Sequence, residues 1–159
     1  MLGYLLIAVA GFVLDQWSKA EAVRYLSRGS VHVTSFLNLV LVYNRGAAFG
    51  FLSNASGWQN AFFIAVAVAI VAGIVIFLVR GGRRDRLTVV ALMLVLGGAA
   101  GNLADRVRLG EVVDFIDFHI GSWHWYTFNL ADSAITVGAV LLAIDAWVSR
   151  RATAAPERR

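Results

Sequence analysis

The chain has no cysteine. Disulfides, thiol nucleophiles and thiolate metal sites are therefore outside its chemistry. It has one lysine, Lys19, and three histidines, His32, His119 and His124. The histidines lack His-Glu-x-x-His spacing, which speaks against a zinc hydrolase of that type. No phosphate-cradling glycine loop is present; Arg45-Gly46 follows Asn44 in a different context. Charge is scarce as well, at 15% of residues, where a soluble domain carries about a quarter. What fills the 159 residues is apolar: 59% are hydrophobic and mean hydropathy is +0.71. That composition describes a membrane protein. The length leaves no room for a second large domain, so a single integral-membrane domain over 1–159 is expected.

A membrane-crossing helix needs about 20 mainly apolar residues. Ala61–Val79 is the clearest case, with no polar side chain, and a span near 60–79 is predicted. Leu87–Ala104 is interrupted only by Thr88 and Asn102, which predicts a span over 87–105. Leu130–Val148 carries Asp132, Ser133, Thr136 and Asp145, and predicts a span over 130–149. Leu2–Leu14 is apolar but short, so its helix is expected to continue to Leu26 with a polar end in the interface. Ala8-Val9-Ala10 resembles a cleavage site, but the run before it is short and has no basic residue ahead of it. Retention of this helix is expected.

Four spans put both termini on one side. Arg80, Arg83, Arg84 and Arg86 crowd one loop, and Arg150, Arg151, Arg158 and Arg159 crowd the C-terminus. Both clusters fall at span ends, as cytoplasmic anchors do, rather than forming a nucleic-acid footprint. The opposite side then holds residues 27–60 and 106–128. Val31–Thr34, Leu37–Tyr43 and Glu111–Phe118 alternate enough for short strands. Asn44–Gly50 reads as a turn, and Trp123–Tyr126 suit the membrane interface. A small platform on the outer leaflet is expected. Gly97 and Gly101 form a Gly-x-x-x-Gly step that lets a neighbouring helix approach closely.

This topology gathers carboxylates. Asp15 ends the first span, Asp105 and Arg106 end the third, Asp114 follows in the outer segment, and Asp132 opens the fourth. Asn44, Asn102, Asn129 and Lys19 share that face. Asp145 lies about 20 Å deeper along its helix and is expected near Arg150 as a structural residue. Each acid has a plain structural reading. Asp132 could favour its helix N-terminus, with Asn129 as N-cap. Asp114 could be a solvated strand end, and Asp105 with Arg106 a charge pair. A Ser18–Lys19 dyad is disfavoured, because helix neighbours do not face each other. Together, acids beside hydrocarbon suggest paired acid–base chemistry. A small four-helix ion or proton-coupled transporter stays open as the alternative, as does a non-enzymatic assembly subunit.

Five ordered blocks sharpen this reading: Asp15-Gln16-Trp17-Ser18-Lys19, Asn44-Arg45-Gly46-Ala47-Ala48-Phe49, Gly101-Asn102-Leu103-Ala104-Asp105-Arg106, Val112-Val113-Asp114-Phe115 and Phe128-Asn129-Leu130-Ala131-Asp132-Ser133-Ala134. In order and spacing they resemble the motifs of bacterial lipoprotein signal peptidase (signal peptidase II). The resemblance implies an all-α membrane protein of four transmembrane helices with a small extracytoplasmic β-cradle and an interfacial helix. It implies an aspartyl peptidase of the bacterial inner membrane that cleaves diacylglyceryl-modified prolipoproteins before the lipidated cysteine. Asp114 and Asp132 take the catalytic positions. Asp15, Lys19, Asn44, Gly46, Asn102, Asp105, Arg106, Asn129 and Ala131 take substrate-binding or supporting ones. The family uses no metal or organic cofactor and is blocked by globomycin. Arg45 has no assigned role.

Overall fold

The computed structural model describes residues 2–46, 57–80 and 85–154. The elements run α1 (Leu2–Leu26), β1 (Val31–Thr34), β2 (Leu37–Asn44), α2 (Gln59–Arg80), α3 (Arg86–Leu109), β3 (Val112–Ile120), β4 (Trp123–His124) and α4 (Leu130–Ala154). Among the described residues, three helices are long and apolar enough to cross a membrane: α2, α3 and α4 through Arg150. α1 carries Asp15, Lys19, Glu21 and Arg24 in its second half and does not join them on composition.

α3 is the axis of the bundle, and its glycines explain why. A Cβ on Gly97 would sit 2.6 Å from the Ala8 carbonyl oxygen, and one on Gly101 would run into the Asp15 carboxylate. These two positions form one face, and α1 lies on it. A Cβ on Gly98, on the adjoining face, would sit 2.5 Å from the Ala131 carbonyl oxygen of α4. Gly138 of α4 meets the Ala91 carbonyl in the same way, at 2.7 Å. Small residues thus let three backbones approach where the bilayer offers no hydrophobic force between helices. The Gly-x-x-x-Gly expectation holds, and α1 rises parallel to α3 from Ala8 beside Gly97 to Lys19 beside Asp105.

The sheet is antiparallel in the order β1-β2-β3-β4. Three strands fall where alternation predicts them, with β3 running two residues further, to Ile120. β4 was not legible, since two residues carry no period. It forms because Ile120 pairs with Trp123 across a two-residue turn whose Gly121 has φ 60°, a conformation glycine adopts without strain. Phe115 seats the sheet on the end of α1 against Ala22 and Leu26.

Two helices outrun their expected limits. α3 continues past 105 to Leu109, where left-handed Gly110 donates its N–H to the Arg106 carbonyl at 3.1 Å and stops it. α4 continues past 149. Loss of hydropathy marks the lipid boundary and leaves helix hydrogen bonding intact. Asp145, expected as an inner-end structural residue near Arg150, accepts a hydrogen bond from Thr88 Oγ1 at the start of α3, 2.6 Å away. Arg83, Arg84 and positions 47–50 of the expected turn lie outside the described residues, and no interfacial helix stands among the described ones.

Candidate active site

α4 begins with a reciprocal cap. The Asn129 side-chain oxygen accepts the Asp132 N–H at 2.9 Å, and the Asp132 carboxylate accepts the Asn129 N–H at 3.2 Å. This is the capping-box arrangement, so the structural reading of both residues is correct. It is also incomplete. The cap leaves the Asn129 Nδ2 pointing away from the helix, where it donates to Asp114 Oδ1 at 2.7 Å. Asn129 therefore touches both acids, one through its backbone and one through its side chain.

Every amide in the site is oriented by a donor behind it. Gly46 N–H donates to Asn44 Oδ1 at 2.9 Å, which turns the Asn44 Nδ2 onto Asp114 Oδ2 at 2.9 Å. Lys19 donates to Asn102 Oδ1 at 2.8 Å, which turns the Asn102 Nδ2 onto Asp132 Oδ1 at 2.8 Å. Each of the four carboxylate oxygens thus receives one N–H, and each keeps lone-pair capacity for water or a proton.

Lys19 anchors the floor. Its other contacts are Asp15 at 2.9 Å and Asp105 at 2.8 Å, so three ammonium donors meet three acceptors. Asp15 in turn accepts the Ala131 N–H at 2.9 Å, reaching from α1 into the first turn of α4. Asp105 accepts the Val113 N–H at 3.2 Å and so fixes the strand residue beside Asp114. Arg106 turns away from Asp105. It donates to the Gly46 carbonyl at 2.7 Å and lies over the Phe63 ring at 4.6 Å. No Asp105–Arg106 pair forms among the described contacts. Ser18 donates to the Asp15 carbonyl, and Arg45 pairs with Glu111 at 3.1 Å on the surface.

All eleven sequence-derived residues therefore fall in one connected network. Asp114 and Asp132 line a pocket of about 600 Å³ with Asn44, Gly46, Asn102 and Arg106. Asp15, Lys19, Asp105, Asn129 and Ala131 stand behind it, all buried.

The signal peptidase II family model matches residues 7–148. The chain belongs to the signal peptidase II family. It is 55% identical over 145 residues to the lipoprotein signal peptidase of Burkholderia cenocepacia (strain HI2424), covering 91% of this chain and 85% of that one. It is 52% identical over the same length to that of Burkholderia vietnamiensis (strain G4 / LMG 22486), with the same coverage of each. Two solved structures, each described as a bacterial membrane enzyme determined by the in meso method, superpose well. The first has TM-score 0.83 and 32% identity, covering all of this chain and 95% of the other. The second has TM-score 0.79 and 35% identity, covering 91% and 92%. As a signal peptidase II family member the chain is a multi-pass membrane peptidase, and the transporter and assembly-subunit readings fall away.

In this family member, burial is the main reason that Asp114 holds its proton up to about 7, followed by the nearby Asp132 charge. The hydrogen bonds from Asn44 and Asn129 and the Lys19 charge pull the other way and are outweighed. Two carboxylates that share one site titrate as a coupled pair.

Several contributing residues carry no signal in the sequence. Gln16 donates to Asp105 at 2.9 Å and to the Gly101 carbonyl at 3.2 Å, tying α1 to α3 below the site. It sits inside the first motif block, but nothing in its identity announces that role. Trp125, Tyr126 and Phe128 line the pocket, together with Ile135 and Val137 of α4. Their aromatic character was legible; their place in a pocket wall was not.

Proposed function

We propose that this protein is a membrane aspartic endopeptidase that removes signal peptides from diacylglyceryl-modified prolipoproteins, cutting before the lipidated cysteine. The single observation that carries the reading is the Asn129 bridge, which holds Asp114 and Asp132 on one pocket with all four carboxylate oxygens hydrogen-bonded. Asp114 and Asp132 are the catalytic pair in this reading. One is ionised and takes a proton from water; the other is protonated and polarises the scissile carbonyl. Arg106 Nη1 is buried without a partner among the described residues and belongs to a pocket-lining side chain. It is suited to a substrate carbonyl. Ile135, Val137 and Phe128 give the same pocket an apolar wall for acyl chains.

The chain acts as one domain over 1–159. All four helices cross the bacterial cytoplasmic membrane, because α1 accompanies α3 along most of its length. Both termini are cytoplasmic, after the Arg clusters, and the site faces outward. Membrane lipids and lipid-modified prolipoproteins are its partners. Globomycin-type inhibitors occupy the pocket, and nucleic acid has no role.

The test is cleavage of a purified diacylglyceryl-modified prolipoprotein, read as the shortened product. The lipidated substrate is cut, and the same peptide without lipid is cut far more slowly. Each acyl methylene adds about 0.8 kcal/mol of membrane partitioning, and remote binding of this kind positions the scissile bond. Equal rates for both peptides would remove the lipid from the reading.

A further inference from the structure

Away from the acids, the sheet carries a second polar construction. Asp117 lies three residues beyond Asp114 on β3, so its side chain points to the opposite face. There, one side-chain chain crosses all four strands. Asn38 Nδ2 donates to Asp117 Oδ2 at 2.9 Å, which leaves Asn38 Oδ1 to accept from His32 Nδ1 at 2.7 Å. His124 Nδ1 sits 2.8 and 3.0 Å from the two Asp117 oxygens and donates to them. The His119 ring stacks on His124 with centroids 5.0 Å apart. The Asp117 side chain is 8% exposed, while that of His124 is 52% exposed. Burial works against the charge on Asp117, but the hydrogen bonds from Asn38 and His124 outweigh it and hold the carboxyl below its ordinary range.

None of this touches the pocket directly. What connects them is the segment after β4. β4 is two residues long and pairs with β3 only at His119–His124 and Ile120–Trp123. The chain then runs back along β3 as a strap. Trp125 N–H donates to the Phe118 carbonyl at 2.7 Å, and Phe128 N–H to the Ile116 carbonyl at 3.1 Å. The strap supplies Trp125, Tyr126 and Phe128 to the pocket wall and delivers Asn129 to its cap. Its inner end is fixed by that cap. Its outer end is held by a two-residue strand, by the Trp125 N–H bond to Phe118 and by the His124–Asp117 bond, the one side-chain bond of the three.

We propose that Asp117 and His124 are positioning residues for substrate binding: their bond latches the outer end of the strap and so sets the aromatic wall of the pocket. The proposal rests on the reading that the pocket around Asp114 and Asp132 is the active site. It predicts a split effect, because the two acids are held by α3, α4 and Asn44 and stay in place when the wall loosens.

The experiment is steady-state cleavage of a diacylglyceryl-modified prolipoprotein peptide by the purified full chain in detergent micelles. His124→Ala and Asp117→Ala each raise KM about tenfold, the weight of one strong hydrogen bond, while kcat changes less than about threefold. The double variant is no worse than either single one, because both remove the same latch. His124→Asn restores KM towards wild type, because its amide N–H returns a donor close to where Nδ1 stood. Should Asp117→Ala fail to fold, the exposed His124 decides alone through the Ala and Asn variants. A wild-type KM in His124→Ala overturns the latch, as does an equal loss in kcat and KM that Asn does not rescue. Absence of cleavage by the wild-type chain would instead count against the proposed function.

Discussion

α2 and α3 are neighbours of similar length, 22 and 24 residues, yet they are built on opposite plans. α2 has a mean hydropathy of 3.2, and 6% of its apolar window is buried. For α3 the values are 2.0 and 44%. The more hydrophobic helix is the more exposed one. In water the order would be reversed, because burial there follows hydrophobicity. Lipid tails solvate Val and Ile as well as a protein core does, so a large apolar surface gains little from packing. Helices meet where side chains are small or polar. α3 has Gly97, Gly98 and Gly101 against its neighbours and Asn102, Asp105 and Arg106 at its sheet end. High hydropathy in this chain marks contact with lipid, and departures from it mark the interior and the site.

The comparison breaks first at the acids, which α2 lacks. Asp114→Asn and Asp132→Asn each lower turnover by about 10⁴-fold or more, since members of one catalytic unit fail singly. Product formation by mass spectrometry measures it, with membrane insertion unchanged. Near wild-type turnover in either variant would strip that residue of its role. Next in size is the buried cation. Lys19→Met leaves Asp15 and Asp105 without their counter-charge and lowers stability by about 3–5 kcal/mol, read as thermal unfolding in detergent. Arg80, at the far end of α2, tolerates the same substitution.

A matched pair of glycines tests the packing directly. Gly98→Ala forces a methyl towards the Ala131 carbonyl and destabilises by about 1–3 kcal/mol. Gly73→Ala on α2 meets nothing within 4 Å and changes stability by less than about 1 kcal/mol, in the stabilising direction. Equal effects would mean that α3 is not the packing axis.

The smallest effect is on pH dependence. In the proposed mechanism the pair works with one proton, so the rate is expected to fall as pH rises through about 7, where Asp114 loses its own. Asn44 favours the ionised form, and Asn44→Ala therefore moves this limb to higher pH. A limb that stays in place or moves down would take Asn44 off the titration. Folding stability follows the same sign. The folded chain keeps the Asp114 proton to about 7, against about 4 unfolded. Stability is therefore lost as pH rises across that window.

Much of this was legible in the amino-acid sequence. Composition alone made a membrane protein, and ordered blocks marked the eleven residues that the structure brings into one network. Strand alternation located β1, β2 and β3 to within two residues. Other features gave no signal. β4 is too short to have a period. Asp145 was legible only as an inner-end structural residue near Arg150; its partner Thr88 comes from a helix 57 residues away in sequence. Gln16 looks like any polar helix residue until α3 is beside it.

What each segment is follows from its own residues: apolar runs long enough for the bilayer, alternating strands, and acids at the ends of spans where hydrocarbon gives way to water. How the segments act together was decided by packing. Asn129 joins Asp114 to Asp132, Lys19 orients Asn102 through one of its three donors, and the strap lines the pocket. The difference is one of range. Hydropathy and backbone period are properties of neighbours along the chain. A hydrogen bond is made within about 3 Å by groups that only the packed helices bring together.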